Sequence, residues 1–303
     1  MFAVPPLEAL LRAGHEVSLV VTQPDRPKGR GMELALSPVK QKAVESGLPV
    51  VQPEKIKNNA EFRAQLEAIA PECIVIVGYG RIIPRWMLDL PAHGNINLHA
   101  SLLPKYRGAA PIQWAIASGE QVTGNTTMRI DEGLDTGEML LQKEMAIGAD
   151  DTSVTLAPRL AAMGAELLVE TLQAMSEHRL EAKAQDHTQA TLAPILRRED
   201  GHIDFARDAQ TICNRHRGFQ PWPGAFTGFR GKQLTLHSLH AFAASAPAPA
   251  AGEIAVAGEQ LLVGCGAGTA IAIDELQLEG KRRMSAREFI NGYQPKAGEK
   301  LGS

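Results

Sequence analysis

Residues 95–140 read NINLHASLLPKYRGAAPIQWAIASGEQVTGNTTMRIDEGLDTGEML. The stretch opens on a short apolar alternation, Ile96-Asn97-Leu98-His99, which marks the end of a strand. Successive strand side chains point to opposite faces, so Asn97 and His99 share one face. An amide and an imidazole side by side can donate hydrogen bonds to one point, as an oxyanion forming in acyl transfer requires. Residues 101–104 (SLLP) are too irregular to extend the strand. Pro111 suits the first turn of a helix and Gly119 its C-terminal end. A second strand, residues 126–130, leads into Asp131-Glu132-Gly133-Leu134-Asp135-Thr136-Gly137. Glycines on both sides of Asp135 permit a tight loop that swings its carboxylate toward His99. Taken singly, each residue also has an ordinary reading: turn-forming Asn, hydrogen-bonded His, loop-capping Asp. Spacing alone does not decide between them.

The motifs do. Asn97-x-His99, followed by Ser101-Leu102-Leu103-Pro104, Arg107-Gly108-Ala109-Ala110-Pro111 and Gly133-Leu134-Asp135-Thr136-Gly137, closely resembles the folate-dependent formyltransferases. Ala110-Pro111-Ile112-Gln113 and the Gly-Leu-Asp-Thr-Gly loop fit best the members acting on methionyl-tRNA. The resemblance runs from Phe2 to near the C-terminus. It implies an α/β fold with a doubly wound, mainly parallel, Rossmann-like sheet, joined to a small C-terminal β-barrel of the oligonucleotide-binding kind.

Length and composition agree with that class. The chain has 303 residues, 44% hydrophobic and 21% charged, which suits about two globular domains. No apolar run approaches the ~20 residues that span a bilayer, and the N-terminus lacks the pattern of a signal peptide. Cys73, Cys213 and Cys265 are widely separated and odd in number. They read as buried reduced thiols of a cytoplasmic protein, with neither zinc spacing nor a disulfide framework; no metal is expected. A net charge of −3 does not announce a nucleic-acid binder, but local basic clusters weigh more than the total.

The catalytic domain is expected over residues 1–177. A helix ending at Gly14 is followed by a strand over residues 15–21. The resembled family normally opens with a strand and a Gly-Thr-Pro turn before the Phe matching Phe2, so a sheet short of its first strand is expected, with unpaired backbone and an apolar gap. Residues 22–40 (TQPDRPKGRGMELALSPVK) form a long loop carrying Arg26, Lys28 and Arg30, read as an arm that contacts phosphates. The resemblance implies that this loop enters the tRNA acceptor end, with Arg30 its key basic residue. Helices are expected over residues 40–47 and 58–69. Cys73-Ile74-Val75-Ile76-Val77 is a buried parallel strand, and the turn after it holds Tyr79, Arg81 and Ile82 around its glycines, at the carboxyl end where α/β sheets bind ligands. It is not a dinucleotide loop. A strand over residues 138–147 and a long amphipathic helix over residues 152–175 complete the domain.

Residues 178–200 are polar, broken by Pro194, and read as an interdomain linker. Residues 201–303 form the second domain, with a helix near residues 208–216, strands over residues 232–239, 252–256, 260–264 and 270–278, and a last helix started by the Ser285/Glu288 capping box. Arg215, Arg217, Lys281 and Arg282 stand among basic clusters at its turns, which a tRNA-sized polyanion would need.

The resemblance implies transfer of the formyl group of 10-formyltetrahydrofolate to the α-amino group of initiator methionyl-tRNA, by a protein expected to act as a monomer. Asn97 and His99 would stabilise the oxyanion and Asp135 would orient His99 and relay a proton. The folate would lie across Ser101, Leu102, Leu103 and Pro104 and the turn with Tyr79, Arg81 and Ile82. Two rivals stand beside it: a sugar-nucleotide formyltransferase using the same donor, and a non-catalytic RNA-binding protein keeping the fold. The basic arm and the Gly-Leu-Asp-Thr-Gly loop argue against the first, the intact Asn97, His99 and Asp135 against the second.

Overall fold

Helix α1 (Val4–Arg12) starts with prolines in its first turn and buries Leu7 and Leu10. Proline suits this position because the first amides of a helix lack intrahelical partners in any case. The computed structural model describes residues 2–28, 33–243, 248–296 and 298–302. The chain divides into two units: Met1–Pro111, Val122–Ala146 and Leu156–Pro194 make the first, and Ile112–Gln121, Ile147–Thr155 and Ile195–Ser303 the second.

In the first unit β1 (Val20–Val21) is followed by a hairpin of β2 (Arg26–Lys28) and β3 (Glu33–Ala35), then α2 (Pro38–Glu45), capped by the Ser37 hydroxyl. The basic arm, expected as a loop, thus holds a short antiparallel ladder pairing Arg26 with Ala35 and Lys28 with Glu33. Next come β4 (Val50–Val51), α3 (Ala60–Ile69), β5 (Ile74–Ile76), α4 (Arg85–Leu88), β6 (Asn95–His99), and, past residues belonging to the second unit, β7 (Val122–Arg129) and β8 (Met139–Ala146).

The sheet comes in two pieces. Among the described residues, β1 pairs in parallel with β4 alone, while β5-β6-β7-β8 form a separate ladder, parallel at β5/β6 and antiparallel thereafter. The strand expected over residues 15–21 shrinks to Val20–Val21, matching the two residues of β4, its one ladder partner among the described residues. Leu19, Val21 and Val51 from one piece and Ile74 from the other nonetheless pack around the same buried Ile56, Phe62, Leu66 and Met87. Ile74, Val75 and Ile76 are only half-buried, less than an all-apolar run implies.

Strand β6 is the buried centre of the four-stranded piece. Ile96 and Leu98 face the core at 0% and 3% exposure, and Ile96 packs with Leu10, Leu140, Leu168 and Leu172. Helix α6 (Ser153–Ser176), the next after α5 (Pro111–Ala117), buries Leu156, Leu160, Leu167 and Leu168 in its part in the first unit. It lies so close to β6 and β7 that a Cβ at Gly164 would press on Leu98 and Asn125.

Of residues 178–200, read from sequence as a linker, 178–194 are fastened to the first unit. Lys183 and Met139 exchange backbone hydrogen bonds at 2.8 Å, and the Ala193 amide donates to the Arg107 carbonyl at 2.7 Å. Polar composition misleads here because the segment satisfies backbone groups rather than burying apolar area.

In the second unit α5 (Pro111–Ala117) ends before Gly119, whose φ of +80° meets the positive-φ need of a helix stop. Helix α7 (Ala209–Gly218) is capped by Asp208, and α8 (Ala286–Tyr293) by the Ser285/Glu288 capping box. Strands β9 (Phe226–Phe229), β10 (Lys232–Phe242), β11 (Ile254–Ala257), β12 (Gln260–Gly264), β13 (Ala270–Leu278) and β14 (Met284–Ser285) are antiparallel throughout. Their order, β11-β12-β13-β10-β9 with β14 beside β13, makes the expected barrel a curled half-barrel whose two end strands both bond to residues 298–302, β11 through Ile254 and β9 through Gly228. Phe229, Phe289, Leu234, Leu276 and Ile271 fill its core. Among the described residues no helix is long and apolar enough to cross a membrane.

Candidate active site

Asn97 and His99 stand on one face of β6 because Ile96 and Leu98 occupy the other. The loop after β7 brings Asp135 to them. The Asn97 Nδ2 lies 3.5 Å from Asp135 Oδ1, and His99 Nδ1 lies 3.7 Å from Asp135 Oδ2. The Gly108 amide donates to Asp135 Oδ2 at 2.8 Å, so the carboxylate is fixed from a third side. All three expected catalytic side chains therefore meet in the first unit, at the carboxyl end of a strand.

One detail departs from the sequence reading. His99 is 5% exposed, and its Nε2 faces the Tyr106 carbonyl at 2.8 Å. A carbonyl only accepts, so Nε2 carries the proton there. Nδ1 faces Asp135 Oδ2 from beyond hydrogen-bond length, so both ring nitrogens point at protein atoms and His99 aims no free N–H at a substrate. Asn97 is half-exposed; its amide carries two hydrogens, of which the long contact to Asp135 uses one.

The loop over residues 101–104 is built from internal hydrogen bonds. Ser101 is fully buried and its hydroxyl donates to the Lys105 carbonyl at 2.6 Å. Thr126 Oγ1 donates to the Ser101 carbonyl and accepts from the Leu103 amide, while Gln142 Nε2 donates to the Leu103 carbonyl at 2.9 Å. Leu103 is buried, whereas Leu102 and Pro104 are half-exposed. Of the four expected folate contacts, the Ser101 and Leu103 side chains thus shape the loop from beneath.

Past β5, Gly78 and Gly80 hold φ values of +56° and +73°, and a Cβ at either would meet nothing within 4 Å. The backbone of this turn is therefore open to a flat ring. The Tyr79 hydroxyl is buried and has no hydrogen-bond partner among the described residues, and Ile82 is 90% exposed. Arg81 points elsewhere than expected. Its guanidinium donates to Gln23 Oε1 from Nε at 3.0 Å and Nη2 at 2.8 Å, and to the Glu54 carbonyl. Gln23 in turn donates to the Tyr79 carbonyl, and Gln52 bonds both the Gln23 carbonyl and Asp25, which also pairs with Lys40. Arg81 thus ties the turn to the base of the basic arm.

The residues expected to contact tRNA have varied surroundings. Arg30 lies outside the described residues. In the second unit Arg215 is half-buried, its guanidinium lying over Phe219 at 4.8 Å and Trp114 at 5.8 Å, and it donates to the Asp200 carbonyl. Burial, aided by the nearby Arg207, lowers its pKa. Arg217 donates to the carbonyls of Gly148 and Asp151 at 3.2 and 2.9 Å and to Asn214 Oδ1, so it braces its own unit. Lys281 and Arg282 are exposed, and Arg282 pairs with Glu288 at 2.6 Å.

Two residues of the site escaped the sequence reading. Arg107 is 6% exposed and Gln185 is 6% exposed, with the Gln185 Oε1 accepting from Arg107 Nε and Nη2 at 3.0 and 2.7 Å. Gln185 Nε2 donates to the carbonyls of Asp135 and Gly137 at 2.9 and 2.7 Å. Arg107 lies within a motif, which is a signal of a kind; Gln185 has none, in a segment without periodicity.

Comparison with known proteins bears on what this arrangement does. Residues 3–172 match the family model described as formyl transferase, and residues 195–294 match the formyl transferase C-terminal domain. A methionyl-tRNA formyltransferase of Koribacter versatilis is 66% identical over 301 residues, covering 99% of this chain and 96% of that protein. One from Acidobacterium capsulatum is 64% identical over 291 residues, covering 96% and 93%. Among solved structures, the N-formyltransferase of Helicobacter canadensis in complex with folinic acid and dTDP-3-aminofucose superposes with a TM-score of 0.65 at 19% identity, covering 90% of this chain and 95% of that one. At that identity it speaks for the fold alone.

Proposed function

The chain belongs to the formyl transferase family, and from that membership we infer that it transfers a formyl group to the α-amino group of methionine carried on initiator tRNA. The observation that carries the reading is near-full-length identity of 66% to a protein named for that reaction. The convergence of Asn97, His99 and Asp135 supplies chemistry that fits it.

The donor is 10-formyltetrahydrofolate, which supplies an activated one-carbon acyl group. The residues present fit a flat, hydrogen-bonding ring: the 78–83 turn has an open backbone and a buried tyrosine hydroxyl without a partner among the described residues. We assign its binding to that turn, with Tyr79 and Ile82, and to the neighbouring loop with Leu102 and Pro104. Arg81, Ser101 and Leu103 hold those two segments in shape.

As the methionine amine attacks the formyl carbon, negative charge develops on the formyl oxygen. Asn97 Nδ2 is the donor placed to meet it. Asp135 lies alongside, and its carboxylate would take the proton that the amine loses and pass it to N10 of the departing tetrahydrofolate as the N10–formyl bond breaks. His99, beneath it, orients that carboxylate while Tyr106 fixes the ring. Arg26, Lys28 and Arg30 of the arm and the exposed Lys281 and Arg282 are assigned to phosphate contacts, with Arg215 and Arg217 shaping the surface of the second unit.

Purified protein, 10-formyltetrahydrofolate and methionyl-tRNA together test the reading, with dTDP-aminosugar as the competing acceptor. Formyl-methionyl-tRNA is expected, with no formylated sugar. Formylation of the sugar alone, or of neither acceptor, would refute it.

A further inference from the structure

A buried glutamine in the segment that reads as a linker reaches into the catalytic centre. All four hydrogen-bonding positions of the Gln185 amide are filled: two by Arg107, two by the carbonyls of Asp135 and Gly137. Asp135 itself has φ +50°, a left-handed conformation that non-glycine residues hold only when their surroundings fix it. Its carboxylate is fixed by Gly108 and its backbone by Gln185.

The segment bearing Gln185 is anchored on both sides of the site. Lys183 pairs with Met139, next to the Asp135 loop. Further along, Thr191 accepts at its carbonyl from the Arg107 amide at 2.9 Å and at its hydroxyl from the Tyr106 amide at 2.9 Å. His187 Nδ1 adds an acceptor for Arg107 at 3.1 Å. The strap thus grips the Asp135 loop and the 105–110 loop together, and Gln185 is where the two grips meet.

We propose that Gln185 is a positioning residue for the transfer reaction, setting where the Asp135 carboxylate stands relative to Asn97 and His99, with Arg107 locking the glutamine in place. This rests on the reading in which Asp135 takes part in the transfer. The amide chemistry is specific. The Gln185→Glu side chain would fill the same space and still accept from Arg107, but an ionised carboxylate has no hydrogen to give the two carbonyls.

The test measures kcat, KM for methionyl-tRNA, folate affinity and melting temperature for Q185A, Q185E, D135A and the double variant Q185A/D135A. A displacement of about 1 Å in a reacting group costs on the order of 10²-fold. Q185A and Q185E should each lower kcat roughly ten- to hundredfold, with KM and folate affinity within about twofold of the parent. On the D135A background Q185A should change kcat by less than about twofold, because residues acting as one unit do not add. Should Q185A fail to fold, Q185E and its double variant with D135A decide the matter. Parental kcat in Q185E, or losses that multiply in the double variant, would overturn the proposal while leaving the site reading intact. Near-parental turnover in D135A would instead overturn the site reading, and this proposal with it.

Discussion

His99 and Asp135 come from strand β6 and from the loop after β7, and they stand with Nδ1 and Oδ2 3.7 Å apart. That is longer than a hydrogen bond, so Asp135 Oδ2, held by the Gly108 amide, keeps acceptor capacity for an incoming amine. Asn97→Ala, His99→Ala and Asp135→Ala should each lower turnover by about 10²–10³-fold, the usual cost of losing an oxyanion donor or its support. Folate affinity, followed by fluorescence titration, should stay close to the parent. Near-normal turnover in any of the three would remove that residue from the mechanism.

Gly137 closes the same loop against β7. A Cβ there would overlap the Arg129 carbonyl oxygen, a backbone atom that cannot step aside. Gly137→Ala should therefore push the loop outward and reduce turnover at least tenfold, at a melting temperature lower by several degrees. A control at Gly231, where a Cβ meets nothing within 4 Å but φ is +73°, separates backbone strain from collision. Equal losses of turnover in the two variants would argue against the collision.

How far the sequence carried can be judged element by element. The motif residues announced Asn97, His99 and Asp135, and alternation placed two of them on one strand face. One cap was legible as well: the Ser285/Glu288 capping box depends only on neighbours a few residues away. What could not be read was pairing at long range. Gln185 acts through residues 50 and 78 positions distant, and nothing local marks it. Arg81 and Arg217 read in sequence as a folate and a tRNA contact, and only the fold reveals the carbonyls they serve.

The three cysteines make a chemical prediction. Burial pushes Cys73 up to about 12 and Cys213 and Cys265 to about 11. Each stays a neutral thiol in the folded chain at pH 8 and should resist alkylation there, while the unfolded chain reacts at all three. Because these values lie above the ordinary 9.0, the stability they contribute is present below pH 9 and lost as pH rises from 9 toward 11–12. Mass spectrometry after brief iodoacetamide treatment, with and without urea, checks the first part. Rapid labelling of the native protein would contradict it.

His216 makes the opposite prediction on the acid side. It is 7% exposed, and burial lowers its pKa below the ordinary 6.5. The unfolded chain takes up a proton below pH 6.5 that the folded chain refuses, so stability is lost as pH falls from there. Urea unfolding at pH 7.5, 6.5 and 5.5 should show a declining midpoint, and His216→Gln should flatten the decline. An unchanged slope in the variant would assign the acid sensitivity to another group.

The interrupted sheet carries a last consequence. Strands β1 and β5 each have a partner on one side only among the described residues, and both are rich in valine and isoleucine. Along those rims no ladder partner among the described residues protects the amides, so deuterium should enter there sooner than in the doubly flanked β6 and β7. Any extended apolar peptide meeting those rims would find a ready template, which makes this seam a place where one copy of the chain would stick to another.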